Sequence, residues 1–427
     1  MLAGLVIGKL VLLPYLSAGL PGEAKDIAAS VLSSQVRFVG AGAMAVAAIW
    51  SLLRISGSIL RGLAGIAATA RARKAGEKIA LTEQDLPGGW VLGVSAVLFV
   101  PILWLIWEFV QGGPLANSIP AVFALSVVFI VVVGIFTAVV TGYMAGLVGT
   151  SNSPVSGVGI LSILIASVLI AAMFSGSVAP ADKAPLIAFA LFLVSFVFGI
   201  AIVANDNLQD LKTGQLVGST PWKQQVALII GVIAGSLVLP PVLQLLATSF
   251  GFAGAPGAGP NALAAPQASL FAAIAQGVLG GSMRWDLIIM GAVIGVVVVA
   301  IDEGLRAAGK PRFPPLAVAM GIYLPVTVVL PTVIGTVIGH FWNRWAQRTA
   351  HPEFTERLGV LLATGLVVGD SLWGLVFAGA VGVVGDPNRL ALVGPGFAPY
   401  ADWIGIAALA AMLWLTYART RQRALAT

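Results

Sequence analysis

One carboxylate stands alone in the apolar stretch "LLATGLVVGDSLWGLVFAG". It is Asp370, with no other charge for more than ten residues on either side. A carboxylate held among aliphatic side chains costs about 3 kcal/mol in a hydrocarbon setting, so its retention marks a functional candidate. It can take up and release a proton as its surroundings change, or pair with an amine on a ligand; otherwise it is a structural group that caps a local break at Gly369. Three uncharged polar clusters accompany it. Thr150, Ser151, Asn152 and Ser153 sit between glycines ahead of Pro154 in "GYMAGLVGTSNSPVSG", Tyr323 stands beside a proline break in "PPLAVAMGIYLP", and Gln267 follows Pro266 in "LAAPQASL". Hydroxyls, amides and carbonyls freed at such breaks can read peptide-like groups, although Ser-Asn-Ser-Pro is also ordinary turn chemistry.

A fourth feature is the polar block "NDNLQDLKTGQLVGSTPWKQQ" at 205–225, with two aspartates, two lysines, two asparagines and four glutamines between long apolar runs. Other charged residues in apolar stretches read as interfacial. Glu108 is within a turn of its stretch's end beside tryptophans, Lys9 can extend its four-carbon stem toward water, and His340 and Arg344 are near a stretch end. Much chemistry is excluded. There is no cysteine for a disulfide, thiolate site or thiol nucleophile, and two histidines do not make a histidine-built zinc site. No GxxxxGK[ST] loop is present to cradle a nucleotide, and no cofactor or metal site is expected.

These residues need elements to position them, and composition says which. With 59% hydrophobic and 9% charged residues and a mean hydropathy of +1.00, the chain lies far from soluble domains, where about a quarter of residues are charged. Apolar stretches run over residues 2–20, 36–60, 90–110, 119–142, 156–177, 184–204, 226–248, 284–301, 315–341, 358–381 and 401–418. Many approach the ~20 residues that cross a hydrocarbon core, and none alternates as a barrel strand would. The expected fold is all-α: a polytopic transmembrane helical bundle with broken or re-entrant helices, one domain over 1–427. The recurring glycines read as helix-packing positions.

The net charge of +6 forms no continuous basic face, which argues against nucleic acid and for orientation. Basic connectors after residues 60 and 301 and the basic tail are expected on the cytoplasmic side; connectors 111–118 and 249–267 carry no charge and fit the far side. Both termini are then cytoplasmic in a multi-pass protein of the inner membrane. The start "MLAGLVIGKLVLLPYL" lacks the pattern of a cleaved leader. The alternation fails at 315–341, because connectors 302–313 and 342–357 are both basic. Pro325 and Pro331 in "GIYLPVTVVLPTVIG" predict two half-length pieces or a re-entrant hairpin there. The alternative repair makes 268–281 a short crossing.

The stretches "GYMAGLVGTSNSPVSGVGI", "NDNLQDLKTGQLVGSTPWKQQVALIIG", "LAAPQASLFAAIAQGVLGG", "FPPLAVAMGIYLPVTVVLPTVIG" and "ATGLVVGDSLWGL", in that order, resemble the oligopeptide transporter (OPT) family, in its bacterial branch; the family also includes the yellow-stripe-like metal-chelate carriers. The resemblance implies a secondary carrier moving short peptides or peptide-like metal chelates with protons. Asp210, Lys212, Thr213 and Gly214 match the family's Asp-Leu-Lys-Thr-Gly connector, which implies a gate or hinge, as the proline breaks at Pro325 and Pro331 also would. Relatives in the family are longer, so the chain is expected to lack N-terminal spans, or to be completed by another chain or a homo-oligomer. Two other classes remain open. A membrane-embedded hydrolase would need a nucleophile and base or paired acids, of which the sequence offers one deep carboxylate; a non-transporting fragment is the other.

Overall fold

Lipid offers no hydrogen bonds to backbone, so a chain this apolar must satisfy its N–H and C=O groups within helices. The computed structural model of the protein describes residues 1–51, 53–54, 57, 80–148, 155–174, 176, 183–252, 255, 262–263, 265–281, 284–385, 387–391 and 393–426. The Thr150 to Ser153 cluster and the basic residues Arg61 to Lys78 lie outside the described residues. Among those described, regular structure is helical apart from an isolated bridge between Phe252 and Leu263.

In chain order the helices are α1 (Leu2–Ser17), α2 (Ala24–Ser51), α3 (Gly88–Val110), α4 (Ile119–Val148), α5 (Val155–Phe174), α6 (Lys183–Val217), α7 (Pro221–Ser249), α8 (Pro266–Gly280), α9 (Trp285–Ala307), α10 (Pro315–Tyr323), α11 (Val326–Ala346), α12 (Pro352–Val384) and α13 (Ala398–Ala426). Ten helices among the described residues are long and apolar enough to cross a membrane, while α1 and α8 are shorter. The chain is a multi-pass, all-α membrane protein. Both α1 and α2 contain a π-helical stretch, Val6–Leu12 and Leu32–Val36, a local widening found frequently at functional sites.

Two expectations are corrected. The polar block at 205–225 is not a loop: α6 continues through it to Val217, so Asp210, Lys212, Thr213 and Gly214 are helical and the connector shrinks to 218–220. Gly218 closes the helix at φ 77°, with the Ser219 N–H donating to the Gly214 carbonyl at 2.8 Å. The break expected from two prolines occurs at one of them. Leu324 is extended (ψ 149°) ahead of Pro325, whereas α11 runs unbroken through Pro331. Of the two half-length pieces expected at 315–341, α10 is short, with nine residues, whereas α11 has 21 and is long enough to span; the alternative short piece at 268–281 is α8, with fifteen.

The described chain forms two compact units. The first holds Met1–Ile233 and Pro266–Val326, the second Ala234–Ala265 and Thr327–Thr427. In the first, α6 is the central helix, packed on α4, α5 and α8. Leu186, Phe189, Ala190, Leu193, Val194, Val197 and Ala201 are buried at three- and four-residue spacing, which lines one face of α6. The Thr141 hydroxyl crosses from α4 to the Ala201 carbonyl at 2.9 Å. Where helices carry glycine they approach more closely. A side chain at Gly4 or Gly8 of α1 would strike the backbone of Val318 or Ile322 on α10, and one at Gly291 of α9 would strike Val39 of α2.

In the second unit α12 packs on α13, and an aromatic cluster gathers Trp342, Trp345 and Tyr417. The Trp342 indole N–H donates to the Thr355 carbonyl at 3.1 Å, and Gly359 leaves room for the ring. Most other apolar side chains of α12 and α13 point outward, as suits helices facing acyl chains.

Candidate functional site

Pro325 cannot donate a backbone hydrogen bond and forces Leu324 into extended geometry, so α10 ends at Tyr323. That end is buried: Tyr323 is only 2% exposed. Gly40 of α2 brings it into place, since a Cβ there would lie 2.8 Å from the Tyr323 Cβ. The Arg37 guanidinium, one turn earlier on α2, stands over the tyrosine ring at 5.8 Å from its centroid, a cation–π distance.

Tyr323 opens onto a cleft in the first unit. Its walls are Met44 from α2, Ile160 from α5, Gln267, Leu270 and Phe271 from α8, and Met320, Tyr323 and Leu324 at the end of α10. The cleft, with the open solvent at its mouth, has about 280 Å³ of free space, of which about 10 Å³ is wide enough for water. That is room for about one water molecule, so the cleft is narrow. Two candidates that are 56 residues apart in sequence, Gln267 and Tyr323, thus meet at the cleft, set among methionine and aliphatic side chains. Gln267 is solvent-exposed at the start of α8.

Other candidates lie elsewhere. Asp370 is midway along α12, on an exposed face in the second unit, so the described chain does not bring it together with Tyr323 inside one unit. Asp210, Lys212, Thr213 and Gly214 belong to the last turns of α6. There the Lys212 ammonium donates to Gln215 at 2.9 Å, the Gln224 amide donates to the Asp210 carbonyl at 3.1 Å, and Gly214 leaves the space that the Gln224 amide fills. The start of α7 is tied to residues before α3 as well: Gln225 accepts from the Leu86 N–H at 3.0 Å and donates to Asp85 at 3.0 Å. Pro331 is inside α11, away from the break.

One residue beside the cleft was missed. Sequence reading began the second apolar stretch at residue 36, which left Arg37 looking like a terminal charge. The helix begins at Ala24 instead and carries Arg37 near its middle. The signal that could have found it is the spacing of Ile27, Val31, Leu32 and Val36 through a segment too polar to stand out by hydropathy.

A second built feature closes the connector before α10. Asp302, fully buried near the end of α9, accepts from Arg312 with both carboxylate oxygens and from the Phe313 N–H at 2.8 Å. Glu303 adds contacts to Arg306 at 2.6 Å and Arg54 at 3.9 Å. This network fixes the backbone leading into α10. No group of three or more His, Cys, Asp or Glu residues able to hold a metal occurs among the described residues.

Helix breaks buried inside polytopic bundles are common in secondary transporters. Residues 1–381 match the family described as "OPT oligopeptide transporter protein", and the chain belongs to that family. It is 34% identical over 429 residues to a Haemophilus influenzae protein named as an oligopeptide transporter; the match covers 95% of this chain and 67% of that protein. It is also similar to two Arabidopsis thaliana proteins named for metal-nicotianamine transport, at 32% identity over 41% of the chain and 31% over 47%. The chain spans about a quarter of the length of those plant relatives, 24% and 27%. No solved structure matches it.

Proposed function

We propose that this protein is a secondary carrier that takes up short peptides or peptide-like metal chelates together with protons across the inner membrane, with both termini on the cytoplasmic side. Family membership supports a membrane transporter for such cargo. The observation that carries the reading is the cleft at the broken end of α10, where Tyr323 and Gln267 present a phenol and an amide among Met44, Leu270 and Met320. Polar backbone and side chains at membrane depth persist where they border a cavity, and helix breaks in secondary transporters commonly form the substrate site. Thr150 to Ser153 are proposed as further cargo contacts, the Asp210 to Gly214 turns and Pro325 as moving parts, and Asp370 as the group that couples the proton.

Coupling requires that cargo favour one protonation state, since a ligand shifts a conformational equilibrium only by its differential affinity for the two states. The test is uptake of labelled di- to hexapeptides into proteoliposomes under an imposed proton gradient. A carrier accumulates intact peptide against its gradient and stops when the gradient is collapsed. Release of fragments would instead indicate a hydrolase, and the absence of both accumulation and release would overturn the carrier reading.

A further inference from the structure

Lys9 and Arg37 are charged residues placed where a membrane protein rarely keeps them. Lys9 is midway along α1, inside its π-helical stretch, and Arg37 follows directly after the π-helical stretch of α2. Both are half-buried, on helices whose residues Leu12, Val36 and Val39 are buried, as is Ile322 on the facing α10. Gly8 of α1 meets Ile322 and Gly40 of α2 meets Tyr323, so the two cations are on helices that pack against the same turn of α10, and Arg37 stands over the Tyr323 ring that walls the cleft. Among the described residues no carboxylate lies within 4.0 Å of either cation, and neither donates a hydrogen bond.

Two like charges on helices packed against one turn, in an apolar setting, repel and are poorly solvated. Other buried charge in the same unit is treated differently: Asp302 has its arginine and a backbone donor. Two cations without a counter-ion among the described residues, one of them over the tyrosine that edges the cleft, lack only the anion. We propose that Lys9 and Arg37 form a carboxylate-binding site at the Tyr323 edge of the cleft, holding the terminal carboxylate of a peptide or a carboxylate arm of a chelate. The inference rests on the carrier reading above and names the group of the cargo that is recognised.

The geometry fits that division of labour. A planar guanidinium binds a carboxylate through parallel N–H donors, while an ammonium adds a point charge on a flexible stem. Gln267 and Tyr323 then face the peptide portion, and the methionine and aliphatic walls of the cleft face its side chains. An amidated peptide leaves both cations unpaired, so discrimination comes from a penalty against the wrong ligand as well as attraction to the right one. A lipid phosphate offers related anionic chemistry and is the competing occupant.

The experiment uses the full chain and trialanine in two forms, free acid and C-terminal amide. Thermal unfolding in neutral detergent reads binding independently of transport, and proteoliposome uptake reads the carrier. The expected result is that the free acid stabilises the protein and is taken up at least about tenfold faster than the amide. Arg37→Gln and Lys9→Gln, each still folded by its unliganded melting curve, should erase that preference by slowing the acid far more than the amide. Arg37→Lys, which keeps the charge, should retain part of it. Equal handling of acid and amide by the parent overturns the carboxylate site while leaving the carrier reading intact. So does a preference that survives both neutral substitutions. Stabilisation by anionic phospholipid but not by the free acid assigns the pair to a headgroup and also overturns it. Stabilisation by the acid with no uptake keeps the site and removes the carrier.

Discussion

Tyr323 owes its place to Pro325 two residues later and to Gly40 across the helix interface, neither of which contacts a ligand by chemistry of its own. At this scale a side chain's meaning comes from what surrounds it, and Asp302 and Asp370 show the contrast. Asp302 is fully buried with three donors and holds the connector into α10. Asp302→Ala should therefore lower stability by about 1–3 kcal/mol, with Arg312 partly resolvated because it is more than a third exposed. The measurement is the unfolding midpoint in detergent beside that of Arg312→Ala, which should fall at least as far, because it leaves the buried Asp302 carboxylate with only the Phe313 N–H. Asp370 lies exposed midway along α12 and is assigned to coupling. Uptake by Asp370→Asn should lose its dependence on the proton gradient while counterflow of peptide at equal pH persists. An Asp370→Asn protein that keeps the full pH dependence of the parent removes the residue from that role.

At the scale of elements, glycine sets helix spacing. Replacing Gly4 or Gly321 with valine pushes a side chain into the facing backbone of α10 or α1, and the two helices must separate. Overpacking of this kind costs about 1–3 kcal/mol. Gly4→Val should lower the unfolding midpoint clearly, whereas Gly93→Val on α3, where a Cβ meets open space, should not. Much of this level was legible in the sequence. Runs of apolar residues gave most helices, because length and hydropathy are what a bilayer selects. Pro325 was legible as a break and Pro331 misled. Pro325 directly precedes the first turn of α11 and constrains Leu324, while Pro331, in the second turn, removes a single bond within a helix that neighbouring bonds sustain. The block at 205–225 was polar as read, yet its Leu, Gln and Lys residues suit a helix, and α6 carries them beyond its apolar part. Of the site, Tyr323 and Gln267 were recognisable from their prolines. Arg37 was not, because hydropathy alone cannot extend a membrane helix back through "AKDIAASVLSSQ", whose polar residues hid the start of α2.

At the scale of the whole molecule, the account holds that cargo passes through the cleft in the first unit, which the present form keeps nearly closed. Such a site must widen to admit a peptide, because a ligand shifts the equilibrium toward the conformation that fits it. The chain contains no cysteine, so one can be introduced without competing thiols. The most direct measurement is therefore labelling of Gln267→Cys, in proteoliposomes, by a membrane-impermeant maleimide with and without peptide. Gln267 is exposed at the mouth of the cleft, so the unliganded protein should label readily. Peptide at concentrations that saturate uptake should slow labelling of this position and leave a control cysteine at Gln347, on an exposed connector of the second unit, unaffected. Unchanged labelling of Gln267→Cys while uptake is saturated would contradict the account, because the cargo would then be passing somewhere else.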